Sequence, residues 1–175
     1  MKTFLPFLAV VLSAAPAFAQ ESQAQAAIWP LSAAGESCTI SQTFADPDFG
    51  RHTLTISYDA SSQSVSLTSI NTVPGELSAS GELDWRIVFL DNGDEAYDDA
   101  WGARKFTYAR EGAAHRFSTR FTGERNVRQV LADLAASRSV GFMDGGEVVT
   151  AFDLTDIDRS LERLRACAAS AVAAN

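Results

Sequence analysis

The chain has 175 residues, 46% of them hydrophobic, with 14 basic and 22 acidic side chains and a formal net charge of −8. That balance excludes capture of nucleic acid or anionic lipid through the average field of the molecule. The hydrophobic content supplies one buried core, and a chain of this length makes one ordinary domain.

The first segment reads as an export signal. A basic Met1-Lys2 start is followed by an apolar run from Phe4 to Ala15, the helix breaker Pro16, and Ala17-Phe18-Ala19 ahead of Gln20. The run has the length of a secretory signal core and is too short to span a bilayer. The expected mature chain is therefore residues 20–175, with no integral membrane segment after cleavage and a periplasmic or secreted location. It keeps 13 basic and 22 acidic side chains, a net charge of −9. Residues 20–27 are polar and alanine-rich and read as a flexible lead-in. A single globular domain is expected over 28–175, its order beginning near Ile28-Trp29-Pro30-Leu31.

Strand signals follow. Cys38, Ile40, Gln42 and Phe44 alternate onto one face, and Asp46-Pro47-Asp48-Phe49-Gly50 is a turn cluster. Leu54, Ile56 and Tyr58 alternate with Thr53, Thr55 and Ser57, the pattern of a half-buried strand. After Asp59-Ala60-Ser61-Ser62, Val65, Leu67 and Ser69 continue it. Leu83–Leu90 has strong strand propensity. Arg104–Tyr108 and Arg116–Phe121 frame the turn Glu111–Ala114, a hairpin with Phe106 and Tyr108 facing inward alongside Phe117 or Phe121.

The period then changes. Val127, Val130, Leu131 and Leu134 form a helical stripe over about Asn126–Arg138, with Asn126 as the expected N-cap. Val140–Met143 and Val148–Phe152 flank Asp144-Gly145-Gly146-Glu147, a second hairpin. Thr155-x-x-Asp158 resembles a helix-start capping arrangement. Ile157, Leu161, Leu164 and Ala168 then share one face of a final helix. The expected class is α+β: an antiparallel, strand-rich body, either a sandwich or a curved sheet, with two helices in the C-terminal third.

Cys38 and Cys167 are the only cysteines. One opens a strand and the other borders the apolar stripe of the last helix. In an oxidising compartment they are expected to form a structural disulfide. Their spacing is neither Cys-x-x-Cys nor that of a closed zinc site.

Arg104 to Arg128 holds seven basic and two acidic groups. Arg104, Lys105, Arg110, Arg116 and Arg120, with Trp101 beside them, form a candidate patch for an anionic partner; the competing reading is the solvated face of two strands paired with acidic neighbours. In Asp91–Asp99, Asp91, Asp94 and Asp98 are candidate Ca²⁺ ligands, although the spacing is not that of an EF-hand loop and a solvated acidic turn explains it as well. His52 and His115 each adjoin an arginine and a turn, a setting that predicts surface exposure. No nucleophile elbow, His-Glu-x-x-His helix or phosphate-binding glycine loop occurs, so no catalytic residue, cofactor or metal is assigned.

Cys38-Thr39-Ile40-Ser41-Gln42 resembles the Cys-x-aliphatic-x-Gln strand of the invasion-associated locus B family of alphaproteobacterial periplasmic proteins. The final third is similar too: a short helix, a strand, a Gly-bearing turn, a strand ending Phe152-x-Leu154, then a helix with Ser160-Leu161-x-x-Leu164. The likeness covers roughly residues 37–58 and 126–168. The family's Gly-Asp-Trp opening and mid-chain cysteines are missing, which makes the chain at most a distant relative. The resemblance implies a β-rich periplasmic protein without an assigned enzymatic activity, linked to host interaction or envelope physiology.

Three functional expectations follow. The first is a non-enzymatic interaction protein of the bacterial envelope, whose partner is a protein or another envelope component. The second is an inhibitor of a lysozyme, whose cationic surface an acidic protein would attract. The third is a hydrolase whose site is assembled only in the fold.

Overall fold

The computed structural model describes residues 28–47, 50–72, 77–90 and 101–173. The leader, the lead-in and the acidic run Asp91–Asp99 lie outside them.

Nine strands and two helices occur among the described residues: β1 (Leu31–Ala34), β2 (Ser37–Asp46), β3 (Gly50–Asp59), β4 (Ser64–Asn71), β5 (Ser80–Leu90), β6 (Ala103–Glu111), β7 (Ala114–Thr122), α1 (Glu124–Ala136), β8 (Ser139–Asp144), β9 (Glu147–Asp153) and α2 (Asp158–Ala173). The strands form one antiparallel sheet in the order β1-β2-β3-β4-β7-β6-β5-β8-β9. It is a single curved sheet rather than a sandwich. β1 has no strand signal of its own, since Leu31-Ser32-Ala33-Ala34 has neither alternation nor strong strand propensity. Pairing with β2, from Leu31↔Ile40 to Ala34↔Ser37, makes it a strand.

Alternation decides which side chains go inside. Cys38, Ile40, Leu54, Ile56, Val65, Leu67, Phe106, Phe117 and Phe121 are buried on one face. The other face of β2, β3, β4 and β7 carries hydroxyl pairs: Thr39 with Ser57 at 3.0 Å, Ser41 with Thr55 at 2.9 Å, Thr43 with Thr53 at 3.0 Å and Thr68 with Ser118 at 2.9 Å. Such cross-strand pairs suit a surface in contact with water.

The sheet curls until its far end meets its beginning. Phe152 of β9 packs edge-on to Phe44 of β2 at 5.7 Å, and the Nε2 atom of His52 on β3 lies 2.9 Å from the Ala151 carbonyl oxygen on β9. Among the described residues no strand pairing closes the ring, and β1 and β9 are the two edges of the sheet. The two helices cover the buried face. α1 packs on β4 and β7, and α2 on β1, β2 and β3. Leu134, Leu161, Leu164 and Ala168 complete the core. Neither helix is long and apolar enough to cross a membrane.

Two helix starts differ from the sequence reading. The N-cap of α1 is Gly123, not Asn126, and no side chain caps it. The chain turns into the helix at φ 85° there, a conformation glycine adopts without a Cβ clash. Asn126 lies one turn inside and donates from Nδ2 to the Thr122 carbonyl at 3.0 Å. The Thr155–Asp158 capping box does not form either. Thr155 bonds back to Asp153 Oδ1 through its amide and its hydroxyl, at 2.8 and 2.6 Å. The first α2 bond runs instead from the Leu161 amide to the Ile157 carbonyl, 2.9 Å.

The cysteines are joined. Cys38 and Cys167 form a disulfide with Cα atoms 6.1 Å apart, closing a separation of 129 residues.

Candidate binding groove

A groove of about 570 Å³ opens where the β3–β4 turn meets both helices. Its floor is apolar, the buried Val127 and Leu131 of α1, with the half-buried Ala60 and the exposed Ala132 and Ala169 on its sides. Its rim is polar, made by Tyr58, Gln63, Glu124, Arg128 and Arg165.

Local chemistry shapes each wall. In the β3–β4 turn, Asp59 Oδ1 accepts from the Ser61 hydroxyl at 2.8 Å and the Ser62 amide at 2.9 Å. The Ser62 amide first, then the Ser61 hydroxyl, hold the Asp59 carboxyl below its usual pKa. Gln63 takes a left-handed φ of 44°, and its carbonyl accepts from the Gly123 amide at 3.0 Å, tying the turn to the start of α1. Arg165 Nη2 reaches across from α2 to the Leu131 carbonyl on α1, 3.3 Å. Arg165 and Ala169 lie two residues either side of Cys167, so the disulfide fixes the α2 wall against β2.

The basic segment singled out in the sequence is not one patch, because alternation divides it. Lys105 points outward beside Glu82 and Asp84 at 3.6 and 3.9 Å, and Arg116 pairs with Glu111 at 2.7 Å. Arg120 donates to the hydroxyls of Ser62 and Ser64 at 2.9 and 2.6 Å. Arg104 turns to the other face, 4.1 Å above the Phe121 ring centroid, and its burial lowers its pKa. Arg110 donates to the Leu77 carbonyl at 3.2 Å. Trp101 is half-buried, edge-on to Phe121 at 4.7 Å, and its Nε1 donates to Asp133 Oδ2 at 2.8 Å. The paired-face reading describes Lys105 and Arg116. None of the six residues lines the groove.

The histidines correct another expectation. Both are buried, His52 at 2% exposure and His115 at 8%. Position 52 shares the inward face of Leu54 and Ile56, and position 115 that of Phe117 and Phe121, so alternation outweighs the polar flanks. The ring nitrogens of His52 lie 3.0 Å from the Gly50 carbonyl oxygen and 2.9 Å from that of Ala151. His115 faces Asn71 across β4 and β7. Its Nε2 and the Asn71 Nδ2 have no hydrogen-bond partner among the described residues. Asp91, Asp94 and Asp98 lie outside the described residues. Among those described, no group of three His, Cys, Asp or Glu side chains is placed to hold a metal ion.

Compared with protein-family models, curated proteins and solved structures, the chain matches none.

Proposed function

We propose that this is an exported, non-enzymatic binding protein of the bacterial envelope, and that it binds through the groove between α1, α2 and the β3–β4 turn. The observation that carries the reading is the build of that groove. An apolar floor with a few polar groups at its rim is the usual make-up of a ligand site, and its volume lies within the range of about 300–1,000 Å³ common for such sites. The disulfide holds one wall in place, which removes part of the ordering cost of binding. The signal-like leader and the resemblance to the invasion-associated locus B family support an envelope location.

In-cell photo-crosslinking tests the reading. A photoreactive side chain at Ala132, exposed at the groove, is expected to capture a ligand or partner in the envelope fraction. The same group at Thr107, exposed on the outer sheet face, is expected to capture none. No adduct at Ala132, or equal labelling at both positions, removes the groove as the binding site.

A further inference from the structure

Resting on that reading, we propose the class of ligand: a single-tailed amphiphilic carboxylate, its head on Arg128 and Arg165 and its chain along the apolar floor of Val127 and Leu131. The two guanidinium groups are the basic groups of the groove, and both keep spare donors. Among the described residues Arg165 spends one Nη2 contact on Leu131, and Arg128 meets Glu124 alone across 3.8 Å, with the Arg128 and Glu124 side chains more than 70% exposed. An exposed helical pair at that distance is a weak restraint. A guanidinium has five N–H donors in a fork that matches a carboxylate.

Charge limits the head group. With Glu124 on the rim the groove carries a net +1, which one negative charge neutralises. The mature chain as a whole is at −9, so polyanions and anionic surfaces are repelled before they reach the rim. Side-chain size defines the tail. Val127 and Leu131 form a buried apolar bed, and Ala60, Ala132 and Ala169 line it with no more than a methyl group each. A flexible hydrocarbon chain gains from leaving water there at about 0.8 kcal/mol for each buried CH₂.

Titration of the oxidised, mature protein with decanoate, decanol and decylamine, followed by amide NMR shifts and calorimetry, tests the assignment. Decanoate is expected to shift residues 58–63, 124–132 and 165–169 and to bind at least tenfold more tightly than the other two. Arg128→Gln with Arg165→Gln is expected to abolish that preference while leaving the disulfide intact and thermal unfolding cooperative, with Arg165→Lys as the variant that keeps the charge. If decanol or decylamine binds the groove as tightly as decanoate, or the double variant keeps the preference, the carboxylate assignment is overturned. Crosslinking at Ala132 can still succeed in that case, and only the ligand class is then lost. Failure of all three probes to shift the groove overturns the assignment as well, and an empty Ala132 crosslink beside it removes the binding reading too.

Discussion

His52 and Ala151 join two strands that stand six places apart in the sheet, the His52 Nε2 lying 2.9 Å from the Ala151 carbonyl oxygen. The contact is the hydrogen-bonded part of a seam that the rings of Phe44 and Phe152 otherwise close by packing. Phe44 stacks on His52 at 5.6 Å, and Phe152 lies 5.0 Å from the same ring. His52→Phe keeps the ring contacts and removes both ring nitrogens from the Gly50 and Ala151 carbonyls. The expected loss is about 1–3 kcal/mol, read as a lower urea midpoint with an unchanged m-value. A midpoint equal to that of the parent protein would show that packing alone holds the seam.

Loss of the cross-link should cost more. Cys38→Ala with Cys167→Ala, or reduction, is expected to lower stability by about 4–5 kcal/mol in the chain-entropy account of a loop this long. Intact mass of the untreated protein should lie about 2 Da below the dithiol value, for the two hydrogens lost on bridging. Two titratable thiols in the untreated protein would contradict the bridge.

The β3–β4 turn predicts a pH effect of known sign. Asp59 has a folded-state pKa below its ordinary value, so its contribution is complete above the unfolded carboxylate pKa of about 3.9. It is lost as pH falls through the lower, folded value. Asp59→Ala is expected to cost about 1 kcal/mol at pH 7, and the difference from the parent should vanish in strong acid. A difference that persists unchanged at acid pH would show that the carboxylate is not its source.

The basic hairpin separates into residues that matter to the fold and residues that do not. Trp101→Phe keeps the edge contact with Phe121 but removes the donor to Asp133, and should cost about 1 kcal/mol. Lys105→Ala and Arg116→Ala break only exposed pairs and should stay within about 0.5 kcal/mol of the parent. Thermal or urea unfolding of the three variants decides the order, and a larger loss for Lys105 than for Trp101 would reverse this assignment.

Much of this was legible in the residues, because strand alternation and helical spacing are local. Ile40, Leu54, Leu67, Phe117 and Leu164 announce their faces, and the two cysteines announce a partnership. The same alternation already placed His52 and His115 inside, but the turn and arginine beside each pointed the other way. Asn126 and Thr155 have good capping chemistry and lost to neighbours: Gly123 supplies the turn into α1, and Asp153 takes the Thr155 hydroxyl. The groove left no local trace. Its walls come from three separate stretches of chain, and the small alanines that line it look in sequence like ordinary helix formers.

The distance in sequence between Cys38 and Cys167 has a consequence for the chain as it is made. Cys38 lies in the second strand, while its partner arrives in the last helix, after every other strand has been delivered. Until α2 docks, the Cys38 thiol has no second cysteine of its own chain to pair with. A chain cut short anywhere before residue 167 never escapes that state. The bridge therefore forms only in a chain that has been made through residue 167 and has docked α2 on β2, so an intact cross-link reports that closing step.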